Sequence, residues 1–204
     1  LLGLDQPPGT IEINKFHQER EIDLVSHDVG KYCKLMLGRN GYVLEQVFSP
    51  LVVRTTPEHE ELLELGKKCV TRHHARHYMG FASREWKDME KAEARRVKKL
   101  LYVFRVLLTG LHLMRSGEVE ANLVRLNDEH KLSFISDLVA RKVGGSEKMA
   151  ADESRIEFYR RQYTRLMSEL EAAMLQSGLP DVVDVKPALN DLLVRVRMSS
   201  LLHV

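Results

Sequence analysis

The apolar positions of this chain fall into two rhythms, and the change between them organises it. Between Glu21 and Ser26 they crowd together: Ile22, Leu24 and Val25 predict a short buried β-strand, interrupted by the carboxylate of Asp23. Such a carboxylate is costly unless a cation, a metal or a hydrogen-bond donor faces it, so Asp23 is the first candidate for chemistry. Ile11 to Ile13 begins an earlier extended piece, with Lys15 to Arg20 as a polar loop or hairpin before the Asp23 strand. From Val29 the spacing turns helical through Tyr32, Cys33, Leu35 and Met36, with Asp28 placed to cap and Gly38-Arg-Asn-Gly41 to end the helix. Tyr42 to Phe48 is a second apolar segment, closed by Ser49-Pro50.

After a short extended piece, Leu51 to Val53, helical periodicity takes over. Thr56 suits an N-cap, Pro57 a first turn, and Glu58, Glu60 and Glu61 complement the helix dipole. Almost everything to residue 199 reads as helix, with breaks near Ser116-Gly117, at Gly144-Gly145-Ser146 and at Ser177-Gly-Leu-Pro180. Ser146 is expected to cap the helix running through Leu175, and Pro187 to open the last one. The expected fold class is α+β: residues 1–54 as an α/β portion and residues 55–204 as a helical domain.

Val97 to Met114 has the look of a buried central helix, because leucines, valines and a phenylalanine surround most of its circumference. Yet Lys98, Tyr102, Arg105, Thr109 and His112 recur at steps of four, three, four and three, which lines them up on one side. A buried helix does not carry Lys and Arg on one line without partners. Two readings stand on this pattern: a half-exposed helix with a basic wet face, or a row of cations meeting an anionic ligand.

Composition narrows the field only a little. The 204 residues are 44% hydrophobic and 29% charged, which fits a folded globular chain. No apolar run approaches the ~20 residues of a membrane span. Two cysteines, Cys33 and Cys69, sit in helical patterns and suit a reducing, cytoplasmic compartment. A formal net charge of +2 leaves any nucleic-acid affinity to local patches, of which Arg72, Arg76 and Arg84 are candidates for contact with RNA. The His73-His74-Ala-Arg-His77 run admits three readings: a zinc shared by His73 and His77, part of that basic patch, or a solvated face. Arg95-Arg96-Val-Lys98-Lys99 is the densest basic run. His27 stands near the end of the Asp23 strand, and Glu45 reads as a satisfied structural carboxylate. No Ser-His-Asp or Cys-His nucleophile arrangement and no Gly-rich phosphate loop is present.

The order of these features resembles the DNA polymerase β-like nucleotidyltransferases, in particular the branch related to RNA-ligase-associated polymerases. The motifs that carry it are the Asp23 strand, Lys31-Tyr32, Gly38-Arg39-Asn40, the Leu44-to-Pro50 segment and a Lys98, Tyr102, Arg105, Gly110 helix. Tyr78-Met-Gly80-Phe-Ala82, the turn around Ser116-Gly117-Glu118 and Ser177-Gly-Leu-Pro180 extend it along most of the chain. The resemblance implies the C-terminal part of a polymerase β-like sheet followed by a mostly helical domain. It implies NMP transfer from an NTP to a hydroxyl acceptor such as an RNA or tRNA end, with Mg²⁺ or Mn²⁺. Asp23 would be the catalytic, metal-binding carboxylate, and Lys98, Tyr102 and Arg105 would bind the nucleotide. Tyr102 departs from the family's usual His, and Arg96 stands where an Asp is common. The Gly-Ser turn and the Asp-x-Asp pair of the family belong N-terminal to Leu1. Either a longer protein supplies them, or this form has lost two of three metal ligands. The other readings are an inactive relative that binds RNA or protein through its helices, and a purely structural helical bundle.

Overall fold

The computed structural model describes residues 9–91, 97–145 and 153–201. Two antiparallel strands, β1 (Thr10–His17) and β2 (Arg20–His27), open it, joined by Gln18 and Glu19 with φ of 47° and 61°. Helices follow: α1 (Val29–Leu37), α2 (Gly41–Val47), α3 (Pro57–Cys69), α4 (His74–Lys91) and α5 (Val97–Ser116). Then come α6 (Leu123–His130), α7 (Ser133–Val143), α8 (Glu153–Gln176) and α9 (Lys186–Leu201). The α+β expectation is met by a small ribbon on a helical body, and no described helix is long and apolar enough to cross a membrane.

Two caps read from the sequence are present: Asp28 accepts from the Gly30 and Lys31 amides, and Thr56 from His59 with Pro57 in the first turn. Asn40, expected only in the turn that ends α1, also caps α2 by accepting from the Val43 amide. The Tyr42 to Phe48 segment is helical, because Asn40 restarts the chain three residues after α1 ends. Ser146, expected to cap the long helix, and Arg95 and Arg96 of the basic run lie outside the described residues.

Burial of Asp23 is the expectation that fails. β1 and β2 pair only with each other among the described residues, so no second layer covers the ribbon. Ile11, Leu24 and Val25 are therefore about half exposed, Phe16 is 78% exposed, and Asp23 lies open to solvent. The apolar run Ile22–Val25 carried the right element and the wrong environment, since strand pattern reports what a strand is built to meet.

The core is centred on α5, as its all-round apolar sequence requires. Leu100, Phe104, Leu107, Leu108 and Leu111 are fully buried. α4 and α8 pack along it, with Trp86 stacked on Tyr163 at 4.7 Å and 9°, and Phe104 meets Phe134 of α7 at 4.9 Å. Met36, Val43, Leu44 and Val47 belong to the same continuous core, so α1 and α2 are built into the helical body.

Gly41 shows how tight that joint is. A Cβ there would sit 2.6 Å from Tyr78 Cζ and 2.8 Å from its hydroxyl, and that hydroxyl donates to Gly41 O at 3.4 Å. Gly41→Ala is expected to cost about 1–3 kcal/mol through overpacking, read as a lowered thermal midpoint. An unchanged midpoint would mean that the Tyr78 ring moves aside freely.

Candidate functional site

Strand alternation puts Asp23 on one face of the ribbon with its cross-strand partner Asn14 and with Glu12, Glu21 and His27. The opposite face carries Ile11, Ile13, Ile22 and Leu24. Asp23 makes no side-chain hydrogen bond or ion pair among the described residues, while His27 Nδ1 lies 3.0 Å from Thr10 Oγ1. The strand leads straight into Asp28, whose carboxylate receives Arg197 of α9 at 3.1 and 3.2 Å. The Lys31 amide above all, joined by Arg197 and the Gly30 amide, holds the Asp28 carboxyl below its usual range against the opposing effect of burial.

On α5 the polar stripe is not one wet line. Lys98 is exposed, Tyr102 half-buried and Thr109 fully buried with its hydroxyl unpaired, while His112 is bound to Glu129 at 3.0 Å. Between them Arg105, 18% exposed, donates to Glu45 of α2, 12% exposed, at 2.6 Å. Its guanidinium lies over the Tyr102 ring at 4.7 Å. Burial lowers the Arg105 pKa, and Glu45 with Tyr102 more than offsets this, so Arg105 is held above its ordinary value. Arg105 thus has one edge fixed by a carboxylate and one face fixed by a ring. A guanidinium has five donors in a planar fork, and only one of Arg105's is committed to Glu45.

Glu45 is the residue whose part in the site sequence reasoning missed. It was legible as a carboxylate in need of a partner, and Arg105 as a cation in need of one. Nothing local singles out Arg105 over Lys98, Lys99 or Arg115 of the same helix, so packing across 60 residues sets the pair.

The basic candidates separate in space. Arg72 makes a two-pronged ion pair with Asp181, whereas Arg76 and Arg84 are exposed on α4. His73 Nε2 also meets Asp181, at 3.0 Å, and His77 packs edge-on against Tyr78. Among the described residues no three His, Cys, Asp or Glu side chains gather to hold a metal ion. No described contact joins Asp23 to Lys98, Tyr102 or Arg105.

His74 goes inward. Its Nδ1 accepts from the Thr71 amide at 3.1 Å, and its Nε2 is buried without a partner. Burial pushes its pKa down to about 4 from 6.5. The unfolded chain therefore takes up a proton below about pH 6.5 that the fold resists until about pH 4. Stability is expected to be unaffected by His74 above that window and to fall by about 3 kcal/mol across it on acidification. Urea midpoints from pH 7.5 to 4.5 test this: His74→Asn, which keeps an acceptor for Thr71, should flatten the profile, and an equally steep profile refutes it.

With this geometry in place, the comparisons assign a class. The model of one family matches residues 1–195 and puts the chain among the polymerase β-like nucleotidyltransferases. Within that class, the chain belongs to the RNA repair pathway DNA polymerase beta family. An uncharacterized protein of Methanocaldococcus jannaschii is 27% identical over 161 residues, which cover 78% of this chain and 65% of the relative. No solved structure matches at a significant level.

Proposed function

We propose that this chain is part of a metal-dependent nucleotidyltransferase that moves NMP from an NTP to a hydroxyl acceptor, an RNA or tRNA end. The observation that carries the reading is the family match along residues 1–195, and the preset Arg105 supports it. In this reading residues 1–54 contribute to the catalytic unit and residues 55–204 form its helical partner. Lys98 supplies a mobile ammonium and Arg105 a fixed guanidinium to the phosphate oxygens, with Tyr102 holding the guanidinium plane.

The donor chemistry near Asp23 fits Mg²⁺ or Mn²⁺, since the carboxylate and the Asn14 amide oxygen are hard oxygen donors side by side on an open face. Asp23 would hold such an ion together with carboxylates from outside the described residues. When bound, the metal would stabilise charge on the attacking and leaving oxygens. Asp23 is presented on the open face of the ribbon, Arg105 binds and orients, and Glu45 holds Arg105 in place.

Incubating the complete protein with each labelled NTP and an RNA pool, with Mg²⁺ or Mn²⁺, tests the reading. Labelled RNA and pyrophosphate are expected together, and their joint absence with all four NTPs and both ions would overturn it.

A further inference from the structure

Along α4, His77, Phe81 and Arg84 stand at steps of four and three, and along α5 so do Lys98, Tyr102 and Arg105. The two rows lie side by side: the Phe81 and Tyr102 rings are 5.5 Å apart at 56°. His77 stacks at 6.5 Å and 25° on Phe81, and the Arg84 guanidinium lies over the Phe81 ring, 5.5 Å from its centroid. The seam is therefore floored by aromatic rings, with the exposed cations Arg84 and Lys98 beside them. Seven helical residues span ~10 Å, about three base spacings of ~3.4 Å.

Ordinary helix packing explains why the rings touch, but it does not explain the charges. Several surface arginines elsewhere are neutralised, since Arg115, Arg160, Arg165 and Arg195 each meet a carboxylate, while Arg20, Arg54, Arg76 and Arg161 are exposed with no carboxylate partner among the described residues. Arg84 and Lys98 meet none among the described residues, and Glu45, the carboxylate nearest this seam's inner end, is already taken by Arg105. Further along α4, Glu85 turns away by one position and Asp88 lies a turn beyond Arg84. A ring floor with unneutralised cations at its rim matches one kind of ligand well: a strand with π-faced bases and a phosphate backbone.

We propose that the α4–α5 seam is a track for a single-stranded nucleic acid, with bases resting on the Phe81–Arg84 stack and the backbone meeting Arg84. The proposal rests on the nucleotidyl-transfer reading only in identifying this strand as the acceptor; the binding itself stands apart from it. Guanidinium planes and aromatic rings accept any base, so the track has little sequence preference.

The test is fluorescence anisotropy of labelled 12-mer oligouridylate and oligodeoxythymidylate with the complete protein, without NTP, across a salt series. Arg84→Ala is expected to weaken binding about tenfold and to flatten the salt dependence by about one counterion. Phe81→Leu, which keeps the bulk and removes the π-face, is expected to weaken it about fivefold to tenfold. Both variants should retain NTP affinity, which Arg105→Ala loses. Equal affinity for the two oligomers means that phosphate and base suffice, and preference for the ribose strand means that the 2′-hydroxyl is read as well; either supports the track. Unchanged oligomer affinity in Arg84→Ala overturns it, and so does full displacement of the strand by an acidic peptide of equal charge.

Discussion

Asp23→Asn is expected to reduce nucleotidyl transfer by the complete protein on the order of a thousandfold, with no loss of folding. The size follows from the chemistry proposed for this carboxylate: a metal ion is worth several kcal/mol of charge stabilisation, and each ~1.4 kcal/mol is a factor of ten in rate. The intact fold follows from the structure, because Asp23 is exposed and holds no partner that Asn would abandon. Rates with Mg²⁺ and with Mn²⁺, alongside a thermal melt, check both halves. Transfer within tenfold of the parent rate would remove Asp23 from the reaction.

The second large effect concerns Arg105, and here structure and function must be pulled apart. Arg105→Ala leaves Glu45 mostly buried without its cation, at an expected cost of roughly 2–4 kcal/mol, set below fully buried pairs because both side chains keep some solvent. The same change is expected to weaken NTP binding tenfold to a hundredfold through loss of charge-assisted hydrogen bonds. A paired replacement, Glu45→Gln with Arg105→Met, removes both charges at once. It should recover most of the stability while leaving NTP affinity low. Calorimetry and urea melts on the single and double variants decide the matter: NTP affinity that returns with stability makes Arg105 purely structural.

Much of the helical body was legible because its signals are local. Asp28, Thr56 and Pro57 mark helix starts through groups within three residues of themselves, and the all-round apolar Val97–Met114 run announces its own burial. The ribbon was half legible. The residues between Ile11 and Val25 specify strands, but whether a strand is covered depends on what packs against it, which period-two alternation does not encode. The α5 stripe failed in a third way. Its angular spacing is real, yet α2 crosses it at Arg105, so one helical line passes from open to buried within three turns. The partners Glu45, Asp181 and Arg197 lie 60, 109 and 169 residues from Arg105, Arg72 and Asp28, and no window along the chain spans such distances.

The ion pair that rivets Asp28 to the last helix also sets the lever on which Asp23 rides. Four extended residues separate the two acids, so the arm is five steps of ~3.3 Å, ~16 Å in all. A tilt of only about 5° at the rivet swings the tip by roughly 1.4 Å, beyond the ~0.5 Å within which a reacting constellation must be held. Aim at Asp23 is therefore a matter of bracing far out along the arm, and whatever strand docks on the open rim of the ribbon becomes the part that steadies it.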